Sequence, residues 1–298
     1  MSTCDVIVQP GQSPTGKSQP MVVASDGTVI VDSSGTIVSS LGCNEVYTKY
    51  VSGTGYSCPG GKTITSGIQE AINYLVNKKG GSGVVCIAPG TYLVQYGCCP
   101  AISIYVTHEL GLTGNITIRG AGMDETFIQM AHNPHPDIEP SLIGIGGVSN
   151  VTIMDLTLLP YDNDYNPGFT ISFSGVDGLL IDSIHVKGSG QLTTCKAADG
   201  TPYPCVTCAP NHTGPYCTSW GIGGGLPVSS NIVVRNSIFE LTHGQLSLRY
   251  TKNVLVENNI FRYSLGDHII VAPGYATYPN CPPSENVFIR GNTFLFAG

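Results

Sequence analysis

NIVVRNSIF at residues 231–239 and NVLVENNIF at residues 253–261 are two copies of one pattern: Asn, then alternating apolar residues, then Asn again five positions after the first. The same template is legible in NITIRG at 115, NVTIMDLTL at 150, DGLLIDSIHV at 177 and NVFIRGNTF at 286, with Asp or Gly replacing one or other Asn. The starts lie 35, 27, 54, 22 and 33 residues apart, which fits a coil of 22 residues or more, lengthened by loops on one side. That is the signature of a solenoid. Further apolar runs lie between the copies, SLIGIGG, FTISFSG, HGQLSLRY and HIIVAPG, so each coil carries two or three strands separated by tight turns. Strands of successive coils then pair in parallel about 4.8 Å apart. The recurring Asn tolerates the left-handed backbone of a sharp turn and can bond its equivalent in the next coil. Asn150, Asp177, Asn231, Asn253 and Asn286 are therefore expected to stack along one edge.

Composition agrees with an all-β protein rich in turns. Charged residues are 11% of the 298, while Gly alone numbers 38. The net charge of −7, with Lys and Arg scarce and never clustered, offers no footprint for a phosphate backbone, so no nucleic-acid partner is expected. No run of about 18 apolar residues occurs, and the start MSTCDVIVQPGQSPTG lacks the layout of a signal peptide, so no membrane insertion is expected.

The first sixty residues read differently. MVVASDGTVIVDSSGTIVSS at 21–40 alternates β-branched runs with turns at Asp26-Gly27 and Ser34-Gly35, a small N-terminal β-meander. Residues 1–60 are accordingly expected to form an attachment segment and linker, and residues 61–298 the solenoid. One helix is expected, Gly67 to Lys79, with Ile68, Ala71, Ile72, Leu75 and Val76 on one face and a capping box from Ser66 to Gln69. A lone amphipathic helix in a β-protein must cover something, and the open end of the stack is the natural place for it. The chain stops at NTFLFAG, inside a template copy, which points to a longer full-length protein.

Eleven cysteines are an odd number and far above cytosolic usage. Cys195, Cys205, Cys208 and Cys217 fall inside one loop whose Pro and Gly content cannot order itself without a staple, so two disulfides among these four are expected. A zinc site is the alternative, because CVTC at 205–208 has ligand-like spacing and His212 is close in sequence.

GIQEAINYLVNKKGGSGVVCIAPGTYLV, followed by ITIRGAGMDETFIQ, resembles the opening of pectate-lyase-like β-helix proteins, and the resemblance covers about residues 61–298. It implies a right-handed parallel β-helix whose members include polysaccharide lyases, glycoside hydrolases and viral tailspikes. Fold does not choose among these functions.

Glycoside hydrolysis needs two carboxylates facing one groove. Asp155 and Asp182 share a template position in consecutive copies, although a turn preference for Asp or Asn explains that position equally well. A second set is Asp267 and His268 of SLGDHII, with His243. Aligning coils through Phe239 and Phe261 puts Gln245 under Asp267 and Leu246 under His268, and lets His243, Glu240 and Asp267 line one face. THGQ at 242–245 matches only in part the Gly-His-Gly segment of polygalacturonase-type members, and their double aspartate is missing. No cofactor is expected, except Ca²⁺ if the chemistry is that of a lyase. DNDYN places Asp162 and Asp164 at the spacing of a calcium loop, yet Pro167 follows and no Glu closes it. Trp220, Tyr275, Tyr278 and Tyr161 are the rings expected to meet sugars.

The expected function is that of a glycan-recognising β-helix, extracellular or on a virion surface, of the tailspike or adhesin kind. Its expected partner is cell-surface carbohydrate, with a homotrimer or virion attachment through residues 1–60. A secreted polysaccharide hydrolase or lyase is the alternative, and the sequence leaves open whether a bond is cut.

Overall fold

The computed structural model describes residues 4, 6–9, 21–24, 29–31, 67–78, 82–94, 100–105, 114–130, 141–160, 168–207, 219–272 and 282–297. The first elements are β1 (Val6–Gln9), β2 (Met21–Ala24), β3 (Val29–Val31), α1 (Ile68–Lys78), β4 (Gly83–Ile87), β5 (Gly90–Val94), β6 (Ile102–Tyr105), β7 (Ile116–Arg119), β8 (Thr126–Met130) and β9 (Ile143–Gly146). Then come β10 (Ser149–Leu159), β11 (Phe169–Ser174), β12 (Asp177–Lys187), β13 (Gln191–Lys196), β14 (Pro202–Thr207), β15 (Trp220–Gly225), β16 (Ser229–Arg235) and β17 (Ile238–Glu240). The last are β18 (Leu246–Arg249), β19 (Thr251–Glu257), β20 (Ile260–Ser264), β21 (Ile269–Ala272), β22 (Glu285–Arg290) and β23 (Thr293–Ala297).

The strands form three faces, and each described coil but the last reaches all three. The first runs β22-β19-β16-β12-β10-β7-β4 and continues into β1, β2 and β3; the third runs β21-β18-β15-β11-β9-β6. The second joins β5 and β8 to the far half of β10, then the far half of β12, β17, β20 and β23. Every pairing between coils is parallel, and the chain is a parallel β-helix. Alternate residues point inward, so Leu179, Ile181, Ile232, Val234, Val254 and Val256 fill the interior of the first face.

The corners explain the template. Asn150, Gly178, Asn231, Asn253 and Asn286 stand level with one another, and all have positive φ, between 53° and 83°. The expected column therefore exists with one correction, since Gly178 and not Asp177 holds the corner position. Asp177 still joins the ladder through its side chain, accepting from Asn231 at 2.7 Å. Asn253 donates to Asn231 at 3.2 Å, and Asn286 to Asn253 at 3.0 Å. Five residues on, Asp155, Ser183, Asn236, Asn258 and Gly291 make the second corner, again at positive φ. A buried ladder runs just inside it. Asn259 accepts from the Ser237 backbone N–H at 3.0 Å and donates to the Val234 carbonyl at 2.9 Å and to Asn292 at 3.0 Å.

The helix expected over Gly67–Lys79 spans Ile68–Lys78, and Ile68, Ala71, Ile72 and Leu75 are buried in the core. Its Gln69 amide donates to the Ser103 carbonyl at 2.9 Å and accepts from the Ser103 N–H at 2.6 Å, so it pairs with the first strand of the third face as a neighbouring strand would. Beside it, β1 adds in parallel to β4, and Cys4–Cys86 ties the two together. In the region expected to form the N-terminal meander, β2 pairs antiparallel with β1 and with β3. The Cys195–Cys205 bond clips the antiparallel hairpin β13–β14, while Cys208 and Cys217 lie outside the described residues. Among the described residues no helix is long and apolar enough to cross a membrane.

Candidate functional site

Long connections into and out of the third face break the regularity of the coils. Segments 161–167 and 208–218 lead into the third face at Gly168 and Ser219, and segment 273–281 leaves it after Ala272. Tyr161, Asp162, Asp164, Tyr275 and Tyr278 belong to those segments and lie outside the described residues. Alternating with the inward Ile171, Phe173, Ile222, Leu246 and Leu248, the third face carries Ser172 and Ser174 on β11, Gly223 and Gly225 on β15, and Ser247 on β18; Ser172, Ser174 and Gly225 are partly exposed, while Gly223 and Ser247 are covered.

Flat rings stand along the margin of this lane of small residues. Phe169 and Trp220 are level with one another, their ring centroids 5.8 Å apart, and the His243 ring meets Trp220 edge-on at 4.8 Å. All three are half-buried. Two glycines make room for them. A Cβ on Gly244 would come within 2.4 Å of the Trp220 ring, and one on Gly223 within 2.2 Å of Phe169, so each ring packs against bare backbone. The Thr170 hydroxyl, wholly buried, donates to the Trp220 carbonyl at 2.9 Å and fixes the strand beneath the ring.

Asp267 is exposed and level with Gly244, because Leu246 pairs with Ile269. The same register places Gln245 opposite His268, one residue away from the alignment expected from the sequence. A shift of one residue reverses the face on which a side chain lies. His268 accordingly turns into the helix, with its ring 6.4 Å from Phe261 and 5.7 Å from Phe294. Its Nδ1 lies 2.7 Å from Gln245 Oε1. The Gln245 Nε2 donates to the Phe239 and Arg262 carbonyls, which leaves its oxygen as acceptor and assigns the proton to His268 Nδ1. His243 stays with the ring column. Burial depresses the pKa of both histidines, and the Asp267 carboxylate partly offsets this.

Glu240 does not share that face. It lies on the second face with its side chain 8% exposed, bound by Arg262 Nε at 2.6 Å and His185 Nε2 at 3.1 Å, with Lys187 Nζ at 3.8 Å. Burial works against its ionisation, yet the hydrogen bond and charge of His185, then those of Arg262, outweigh it and hold the carboxyl at about 2 instead of 4.5. A depressed carboxyl stabilises the fold above its unfolded pKa and loses that contribution as pH falls through the folded one. Stability on the order of 3 kcal/mol should thus drain away between about pH 5 and pH 2. Urea unfolding at pH 5 and pH 3 should show this loss, and Glu240→Gln should be less stable at pH 5 but markedly less acid-sensitive. An unchanged acid slope in that variant would refute the assignment.

Asp155 and Asp182 are not stacked on each other. Asp155 is level with Ser183, and Asp182 with Met154 and Arg235. Burial opposes the ionisation of Asp182, but hydrogen bonds from Arg235, Asn236 and Ser183 outweigh it and hold the carboxyl below its usual range. Burial, with the Asp182 charge, raises Asp155, and Arg119 moderates the rise. Asp182 is thereby committed to structure. Among the described residues no group of three or more His, Cys, Asp or Glu side chains is arranged to hold a metal ion.

No protein-family model and no curated protein matches the chain. Three solved structures share its general course. An Azotobacter vinelandii mannuronan C-5 epimerase module, the AlgE6 A-module, is 17% identical over 82% of this chain and 57% of its own, with a TM-score of 0.44. The AlgE4 A-module of the same organism is 16% identical over 83% of this chain and 63% of its own, at 0.45. A "putative glycosyl hydrolase" from Parabacteroides merdae is 15% identical over 83% of this chain and 96% of its own, at 0.44. The chain thus spans less than two thirds of either epimerase module. Similarity of this degree says nothing of chemistry.

Proposed function

We propose that the chain engages a glycan along its third face, as the recognition surface of an extracellular or virion-borne adhesin of the tailspike kind. The observation that carries the reading is the column Phe169–Trp220–His243, seated on glycines beside a lane of small residues. Flat apolar faces pack against the apolar faces of sugar rings, and the small, partly exposed Ser172, Ser174 and Gly225 beside them leave room for a chain to approach. Tyr161, Tyr275 and Tyr278 serve in this reading as further stacking groups in the bordering segments. Residues 1–60 attach the helix to its particle or to two further copies, and α1 covers the end of the stack. The two disulfides among the described residues accord with life in an oxidising compartment.

One observation favours a second reading, a polysaccharide hydrolase or lyase. Asp267 is level with Gly244, the residue after His243, and the preceding Gly266 packs against the His243 ring; an imidazole beside a carboxylate can move a proton. A single experiment separates the two. Candidate surface polysaccharides are incubated with the parent, Trp220→Ala and Asp267→Asn, and both binding and new reducing ends or unsaturated products are measured. An adhesin gives no product, and Trp220→Ala weakens its binding about tenfold or more. An enzyme gives product with the parent and none with Asp267→Asn, while binding stays near the parental level. In either case Asp267→Asn removes the charge that supports the imidazolium, so the His243 titration midpoint followed by NMR should fall. Trp220→Ala binding as well as the parent on every glycan would sink both readings.

A further inference from the structure

We propose that the outer surface of the first face is a self-complementary docking surface on which two copies of this chain pair antiparallel. Leu180, Val233, Leu255 and Phe288 form one column there, each level with the next. All four point away from the core, and Phe288 is 64% exposed. The column borders a shallow groove of about 490 Å³ whose other wall is the amide ladder of Asn231, Asn253 and Asn286. Isolated exposed apolar residues are ordinary, but a contiguous column between polar rails marks an interaction surface.

The rail on the far side decides the partner. Asp182, Arg235, Glu257 and Arg290 follow one another in register two residues beyond the apolar column, so the charge alternates in sign at every row. Arg235 pairs with Asp182 at 2.8 Å and Arg290 with Glu257 at 2.9 Å. A two-fold axis lying along the strand direction reverses the order of rows and leaves each column facing its own copy. Arg235 then meets Glu257 of the second copy, and Arg290 lies over the row of Asp182, whose own carboxylate is buried beneath Arg235. In the same placement Leu180 meets Phe288, Val233 meets Leu255, and the amide ladder meets itself. Sliding the copies by one row would set Arg against Arg and Glu against Glu, so the charges fix the register. A glycan is the poorer occupant, because three of the four column residues are aliphatic and offer no ring face.

Size sets the expected strength. Four rows at about 4.8 Å and five positions at about 3.3 Å cover roughly 300 Å² per copy before side-chain relief. That is below the ~800 Å² per partner of a standard interface, so the dimer is weak and concentration-dependent.

The test is sedimentation of the whole protein across concentration, with Phe288→Glu and Leu180→Lys each alone and mixed. Both substitutions are on the outer surface, and circular dichroism confirms the fold. The parent should pass from monomer to dimer as its concentration rises toward about 0.5 mM. Each variant alone should associate about tenfold less, because charge meets an apolar residue at both ends of the contact. The equimolar mixture should recover association, since the introduced carboxylate of one variant then faces the introduced ammonium of the other at one end, and the parental Leu180–Phe288 pair is restored at the other. A parent that stays monomeric throughout, an assembly that neither substitution weakens, or a mixture no better than its components would each overturn the proposal. So would a monomeric parent whose glycan binding is lost in Phe288→Glu, which would make this face a glycan surface.

Discussion

Asn259→Ala is expected to destabilise the chain by about 3–5 kcal/mol, more than any other single polar substitution in the template. Asn259 is 1% exposed, and its amide satisfies the Ser237 N–H and the Val234 carbonyl while bonding Asn292 in the next coil. Alanine leaves a buried donor and a buried acceptor with no alternative, each costing about 1–3 kcal/mol, and opens a small void besides. The outer ladder is the control. Asn253 is exposed, and Asn253→Ala should cost only about 1 kcal/mol, most of it from holding Ala at positive φ. Urea unfolding of the two variants decides the matter, and equal losses would mean that the buried ladder carries no special weight.

Phe261→Ala should cost a similar 3–5 kcal/mol by another route. The Phe261 ring is fully buried and stacks on Phe239 at 4.9 Å, with 10° between planes, and on Phe294 at 5.3 Å, with 9°. Truncation removes two ring contacts and leaves a cavity between two coils that the flat neighbours cannot close. Its loss should also be non-additive with Phe239→Ala, because the second truncation removes a ring that has already lost its neighbour. Losses that add simply in the double variant would argue that the stack does not act as a unit. The His268 ring, 6.4 Å from Phe261, offers an NMR reporter of the same collapse.

The repeat could be read from sequence because its corners need positive φ, which Asn, Asp and Gly adopt at low cost, and because strand alternation fixes which residues turn inward. The same tolerance limits the reading. In DGLLIDSIHV both Asp177 and Gly178 suit the first corner, and both Asp182 and Ser183 the second. The chain uses the later residue each time, and this separates Asp155 from Asp182. The corner between the second and third faces has no fixed length, so no template carries the register across it. That is why His268, expected to stand on the outside with Asp267, is found inside against Gln245. Trp220 was legible as a ring beside a long loop. The part played by Gly244 was not, since it depends on which coil lies next to Trp220. Glu240 was expected beside His243 and Asp267, but its partner His185 lies 55 residues away and is reached only through the stacking.

The ladder Asp182–Arg235–Glu257–Arg290 also constrains how such a chain can change its length. Residues 231–252 make a minimal coil of 22 residues, the unit that a duplication or deletion would most readily move. Deleting that unit would bring Glu257 level with Asp182, and duplicating it would bring one Arg235 level with the other. Two like charges held about 4.8 Å apart on a sheet surface repel, so either event is penalised even though every corner and every apolar position would still fit. Coils are thus gained or lost most easily in pairs, or singly with a reversal of charge, and the alternation works as a parity check on the number of turns in the stack.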